Sequence, residues 1–319
     1  MPATNLDQGA SATSKGQFDT FLQRFADGFA QAYRAPILHS PSEEGLAYQD
    51  VTFSSIDGTP LEGWFIPAEG SDKLVICNHP MGFTRSGQPT QLEPWKSIWG
   101  SSGNGFECNF VPDYKILHDA GYNVLAYDLR NHGHSGAANG GMISSGIFES
   151  RDVLGSLRYV RERKDTQSMT IGLFSRCLGC NSTFYAMKSD PAAFEGVRCL
   201  VGAQPIDTKT VVMKELGLAG VPVDLIDDLE RRIVLKTSLD FARRRPWDWA
   251  KGVSVPTFLY QVREDVLTVP SDVQTMFDNI PVADKKLFWI EGTSRRWDGY
   301  TYFQREPEQI LEWFRSHMG

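Results

Sequence analysis

The stretch "GLFSRCLGCNST", Gly172 to Thr183, follows a strand-like run with two cysteines three residues apart. These letters admit three readings. Cys177-Leu178-Gly179-Cys180 is formally a C-x-x-C motif, and the junction of a strand with a helix is where redox dithiols sit. Ser175-x-Cys177-x-Gly179 is equally a turn with small flanks around one nucleophile. Such a turn works by crowding: the backbone is strained, the side chain is presented, and the next N–H, that of Leu178, points to where an oxyanion would form. The helix N-terminus adds partial positive charge, which favours thiolate. The third reading is a pair of ordinary core cysteines.

The elements that must position this turn are legible around it. "KLVICNHP", "NVLAYDLR", "MTIGLFS", "VRCLVGAQP", "PTFLYQV" and "KKLFWIEG" are short, nearly continuous apolar runs, as expected of strands buried on both faces. Helical stretches separate most of them: "DYKILHDAGY", "FESRDVLGSLRYVRER", "LGCNSTFYAMKS", "PSDVQTMFDNI" and "EPEQILEWFRSHM". Alternation of this kind predicts a mostly parallel sheet of about eight strands flanked by helices, counting an antiparallel pair from "QDVTFSS" and "LEGWFIPA". Ligands of such sheets bind beyond the carboxyl ends of the strands, so the turns after His79, Arg130, Ser175, Pro205, Val262 and Gly292 matter most.

The boundaries follow. Residues 1–16 are polar and small and are expected as a flexible tail. Residues 17–45 carry an opening helix, with Phe18, Phe21, Leu22, Phe25 and Phe29 at helical spacing. Residues 46–205 and 251–319 form the α/β core. Residues 206–250 are a helical insertion, expected as a lid or cap, and 84–112 is a second long connection.

At 319 residues, with 41% hydrophobic and 22% charged residues, the composition is that of an ordinary globular chain. A net charge of −7 argues against nucleic acid or an anionic membrane as partner, and no apolar run approaches the roughly 18–20 residues that span a bilayer. Five cysteines, an odd number with three in strand-like runs, fit a reducing cytoplasm better than a disulfide framework. Neither a second C-x-x-C nor paired histidines supply a zinc ligand set, and no cofactor or metal is expected. The oligomeric state is open.

The order of elements resembles the α/β-hydrolase fold over roughly residues 46–318. The carriers are "HPMG" after the third strand, "DLRNHGHSG" after the fourth, "SRCLG" after the fifth and "REDVLTVP" after the seventh. A cysteine in the elbow is similar to that of the dienelactone hydrolases, where most of the superfamily has G-x-S-x-G. The resemblance implies Cys177 as nucleophile, the N–H groups of Met81 and Leu178 as the oxyanion hole, and Asp265 as the acid. It also implies a histidine after the last strand. That loop reads "IEGTSRRWDGYTYF" and has none.

A thiol ionises far more readily than a serine hydroxyl, with a free pKa of about 8.5, so the cysteine and the missing base make joint sense. Arg176, Arg295 and Arg296 lie on turns at the same sheet edge and are expected to stabilise thiolate or substrate. His79 is the candidate substitute base. His132 and His134 sit in what resembles a structural turn. Trp95, Trp247, Trp297 and Tyr300 are candidates for a pocket taking an apolar or aromatic small-molecule acyl group. The expected function is hydrolysis or acyl transfer on an ester, thioester or lactone. The alternatives are a non-covalent isomerase, lyase or ligand binder on the same fold, and a C-x-x-C thiol-disulfide oxidoreductase.

Overall fold

The computed structural model describes residues 7–31 and 33–319, with side chains of the first helix described from Gly16 onward. Ten strands form: β1 (Gln49–Ser54), β2 (Pro60–Ile66), β3 (Lys73–Asn78), β4 (Gly87–Gln88), β5 (Cys108–Asn109), β6 (Asn123–Tyr127), β7 (Thr170–Arg176), β8 (Val197–Ala203), β9 (Thr257–Val262) and β10 (Lys285–Ile290). Eight of them make one sheet in the order β1-β2-β6-β3-β7-β8-β9-β10, while β4 and β5 pair as a small separate ribbon. Only β2 runs against its neighbours; the pairs from β6 to β10 are parallel. The apolar runs read from the sequence are these strands.

Alternation within each strand divides the core. Val75, Phe174, Val201 and Phe258 face one layer, and Ile76, Leu173, Leu200 and Leu259 face the other. In chain order the helices are α1 (Asp7–Ala30), α2 (Trp95–Trp99), α3 (Val111–Asp119), α4 (Ser150–Glu162), α5 (Leu178–Ser189), α6 (Thr208–Leu218), α7 (Ile226–Thr237), α8 (Pro246–Ala250), α9 (Pro270–Asn279), α10 (Arg296–Tyr300), α11 (Tyr302–Arg305) and α12 (Glu308–Met318). The layer beneath the sheet holds α3 and α12; the opposite layer holds α4, α5, α8 and α9. Among the described residues no helix is long and apolar enough to cross a membrane.

The expected tail needs correction. Helix α1 starts at Asp7, so residues 7–16 belong to a helix despite their polar composition, and residues 1–6 lie outside the described residues. The second half of the helix carries its apolar stripe. Leu22, Ala26 and Phe29 pack with Leu216, Leu229 and Ile233 of the 206–250 insertion in a third, separate apolar cluster. Asp19–Arg232 and Asp27–Lys236 ion pairs flank it. Arg244, in the arginine run ahead of Pro246, is fully buried, with its guanidinium over the Phe29 ring. The first helix and the insertion are therefore one structural unit above the sheet edge.

Candidate active site

Strand β7 ends at Arg176 and α5 begins at Leu178, so Cys177 alone makes the turn, with φ 47° and ψ −109°. This is left-handed backbone that an L-residue enters only under constraint, at a cost of about 1–3 kcal/mol. The constraints are visible. The Cys177 N–H donates to the Ala203 carbonyl at 2.8 Å and the Gly179 N–H to the His79 carbonyl at 3.1 Å. Gly179 must be glycine, since a Cβ there would lie 2.6 Å from both Cβ and O of Asn78. Ser175 is small for the same reason and is tied to Asn78 and Thr183 by hydrogen bonds of 2.8 and 2.9 Å.

Cys180 is separate from this turn. It is fully buried one helical turn on, and a Cβ added at Gly202 would lie 2.8 Å from its sulfur. Burial pushes its thiol well above the ordinary value, so the C-x-x-C spacing marks a packing residue and no disulfide forms among the described cysteines. Cys77 and Cys199 are likewise core thiols, each pushed up to about 12 by burial.

His79 does not face this chemistry as a base. Its Nε2 accepts the Leu129 N–H at 2.9 Å, which fixes the ring proton on Nδ1, where it donates to the Pro80 carbonyl at 2.7 Å. Burial, followed by the neighbouring His132, holds its pKa well below the usual range. The ring is neutral, both nitrogens are occupied, and its work is to shape the loop that follows β3. His132 similarly binds the Arg130 carbonyl through Nδ1 at 2.8 Å. The "RNHGHSG" segment is wrapped around the buried Asp128, which accepts the N–H groups of Arg85 and His134 and an Arg85 ion pair at 2.5 Å.

Of the three arginines, only Arg296 reaches the turn. Arg176 shares a strand face with Phe174, stacks on its ring at 3.8 Å, and is ion-paired with buried Asp113 in the core. Arg295 is half exposed, bound to Asp298 at 2.9 Å and lying over Phe106 at the rim. Arg296 is buried. Its Nη1 donates to Asp265 at 2.5 Å, its Nη2 to the Gln204 carbonyl, and its Nε to the Tyr300 hydroxyl at 2.8 Å. The single helical turn of α10 brings this about, because residues four apart share a helix face.

The Tyr300 hydroxyl lies beside the Cys177 thiol. Because its oxygen already accepts from Arg296, its own proton is free to be donated to sulfur. Burial pushes this phenol well above its ordinary value, with Arg296 opposing, so it keeps its proton and acts as a donor. Burial alone would lower the Arg296 guanidinium; the facing oxygens of Tyr300 and Asp265 and the Cys177 sulfur more than offset this. The result is a chain from Cys177 through Tyr300 and Arg296 to Asp265. Asp265 is further fixed by the Leu267 N–H at 2.9 Å and by Gln261.

Solved structures align with the chain over most of its length, although no family model and no curated protein matches it. An esterase of Pyrococcus furiosus aligns with TM-score 0.65 and 22% identity, over 90% of this chain and 99% of its own. The α/β hydrolase GrgF of a Penicillium species gives 0.58 and 18%, over 86% and 99%. A dienelactone hydrolase of Anabaena variabilis gives 0.51 and 16%, again over 86% and 99%. The chain has the α/β-hydrolase fold.

Within this α/β-hydrolase fold, an arginine stands between the acid and the cysteine where the resemblance implies a histidine. The N–H groups of Met81 and Leu178, expected as oxyanion donors, make no other hydrogen bond among the described residues. Both residues line a cavity of about 690 Å³, the size of a small-molecule site. Its walls come from α1, the segment around α2, and α6, with Phe21, Phe25, Trp95, Trp99 and Val211 in the lining. Trp95 is among the lining residues, whereas Trp247 lies on α8, against α9, with its carbonyl bound by Asn279. Trp297 and Tyr300 are buried beneath the cavity rather than in its wall. Trp297 donates to Thr90 at 3.1 Å and packs on Tyr300, propping the phenol beside Cys177.

Gln204 escaped the sequence reading. Its backbone has φ 53°, its Oε1 accepts the Val262 N–H at 3.0 Å, and its amide and carbonyl both bind Arg296. The available signal was a polar residue in "GAQP", at the carboxyl end of an otherwise apolar strand.

Proposed function

We propose that this protein is an acyl-processing enzyme in which Cys177 attacks the carbonyl carbon of an activated ester, thioester or lactone. The observation that carries this is the strained Cys177 backbone at the end of a central strand, beside an apolar cavity and two N–H groups without partners. A scaffold or a non-covalent binder has no use for such strain.

In the forward step the Cys177 thiolate adds to the carbonyl and the developing oxyanion takes hydrogen bonds from Met81 and Leu178. Collapse of the adduct expels the leaving group with its electron pair and leaves a thioester on Cys177. Water or another protic acceptor then attacks that thioester and gives up its proton to the expelled thiolate or enolate, the carbon–sulfur bond breaks, and the Cys177 thiolate returns. Tyr300 donates a hydrogen bond to the sulfur whenever it is anionic, and Arg296 holds the phenol in that orientation. Asp265 neutralises and fixes Arg296.

No member of this chain can act as a base, since arginine and a buried tyrosine both retain their protons. The substrates that suit it have leaving groups that depart unprotonated, which are thiolates and enolates rather than amines. The helical unit above the cavity serves as the lid, and the unpaired thiols fit a reducing compartment such as the cytoplasm.

The direct test is mass spectrometry of the protein after brief exposure to a medium-chain acyl thioester. An acyl adduct on the peptide containing Cys177, absent in Cys177→Ala and retained in Cys180→Ala, is the expected result; no adduct overturns the covalent reading. Tyr300→Phe is expected to lower kcat/KM about ten- to hundredfold, the value of one hydrogen bond to a charged group. It should also slow iodoacetamide alkylation of Cys177 at neutral pH by a comparable factor.

A further inference from the structure

Within the largely apolar cavity three polar side chains each have an oxygen that no other group binds among the described residues. Gln88 is buried; its amide nitrogen donates to the Gly82 carbonyl at 2.8 Å, next to Met81, and its Oε1 has no partner. Thr208, buried at the start of α6, has an unpartnered Oγ1. It stands near the cysteine turn, since Ile206 is bound on both backbone atoms by Asn181 of the first turn of α5.

Glu215 is the third. It lies on the same face of α6 two turns further on, about 10 Å along the axis, and lines the far part of the cavity. It is partly exposed, makes no hydrogen bond or ion pair among the described residues, and desolvation pushes its carboxyl up to about 7. On the facing wall Asp27 is paired with Lys236, and Arg24, which also lines the cavity, forms no ion pair with Glu215. A carboxyl that lines this largely apolar cavity without a partner has acceptor oxygens free for a ligand's donor.

We infer that the cavity takes an acyl group whose apolar chain carries hydroxyl groups, with one hydroxyl, remote from the reacting carbonyl, donated to Glu215. A hydroxyl fits better than an ammonium group because Gln88 Oε1, Thr208 Oγ1 and Glu215 are all acceptors for neutral donors, and two of the three carry no charge. Helix α6 then acts as a ruler, with Thr208 beside the carbonyl end and Glu215 at the distal end. This rests on the proposal that the cavity is the acyl site of Cys177.

The test measures binding in the full-length Cys177→Ala protein, which cannot turn substrate over, by calorimetry with decanoyl and ω-hydroxydecanoyl N-acetylcysteamine thioesters. The hydroxylated thioester is expected to bind about tenfold or more tightly. That advantage should survive Glu215→Gln and disappear in Glu215→Leu, which should bind the plain chain at least as well as before, with unchanged thermal unfolding showing both variants folded. Equal binding of the two thioesters, binding of neither, or an advantage that persists in Glu215→Leu overturns the inference. A hydroxyl preference lost in Glu215→Leu, together with no acyl adduct on Cys177 in the unmodified protein, would remove the catalytic reading and leave this one standing.

Discussion

Cys177→Ser is expected to be as inactive as Cys177→Ala, with kcat at least about a thousandfold below that of the unmodified protein in a thioester hydrolysis assay. Serine is the ordinary nucleophile of this fold, and the substitution removes no packing. What is missing is a partner able to take the hydroxyl proton. His79 has both ring nitrogens bound to the backbone, His132 is held by the Arg130 carbonyl and makes no hydrogen bond to Cys177 among the described residues, Arg296 is permanently charged, and Tyr300 is protonated. A Ser variant retaining a tenth of the activity would show that a base exists.

The same geometry predicts a pH–rate profile without a histidine limb. The two buried imidazoles matter instead to stability. Their folded-state values lie below the unfolded value of about 6.5, so the folded state binds fewer protons. Their contribution is complete above that value and declines as pH falls through it.

Arg296→Met is expected to be the most destabilising single change at the site, by about 3–5 kcal/mol in urea unfolding at neutral pH. The substitution leaves Asp265 buried without a counter-charge and also frees the Gln204 carbonyl and the Tyr300 hydroxyl. The loss should shrink at lower pH, where the orphaned carboxyl can protonate. The double change with Asp265→Asn should recover a large part of the loss, because the charge that needed a partner is gone. Recovery of stability without recovery of activity would separate the two roles of the arginine: holding Asp265 and orienting Tyr300.

The sheet was legible because parallel strands buried on both faces announce themselves as apolar runs, and every such run became a strand. The cysteine turn was legible because the crowding that Asn78 imposes on Gly179 and Ser175 admits only small residues. The rest of the site was not, since it depends on side-chain direction. Arg176 adjoins Cys177 in sequence, yet it lies on the Phe174 face of its strand and points into the core. Arg295 and Arg296 are neighbours whose sides are decided only when α10 forms, sending one to the rim and the other to Asp265. His79 looked available because nothing in "HPMG" reveals that the Leu129 N–H would come to meet its ring. Helix α1 was hidden because Ser, Gly and Ala at its start resemble a tail, whereas its partner, α7, is read much later in the chain.

That separation bears on how the molecule is made. About two hundred residues lie between the end of α1 and the start of α7, so at synthesis rates of about 5–20 residues per second α1 waits on the order of 10–40 s for its partner. During that time the neighbouring Phe21, Phe25 and Phe29 rings lack the insertion that packs on them. The sheet edge and its cysteine turn cannot be roofed until the insertion has left the ribosome. The roof of the binding cavity is thus completed only once α7 has been made, and chains that stop short of α7 leave the apolar stripe of α1 without its partner.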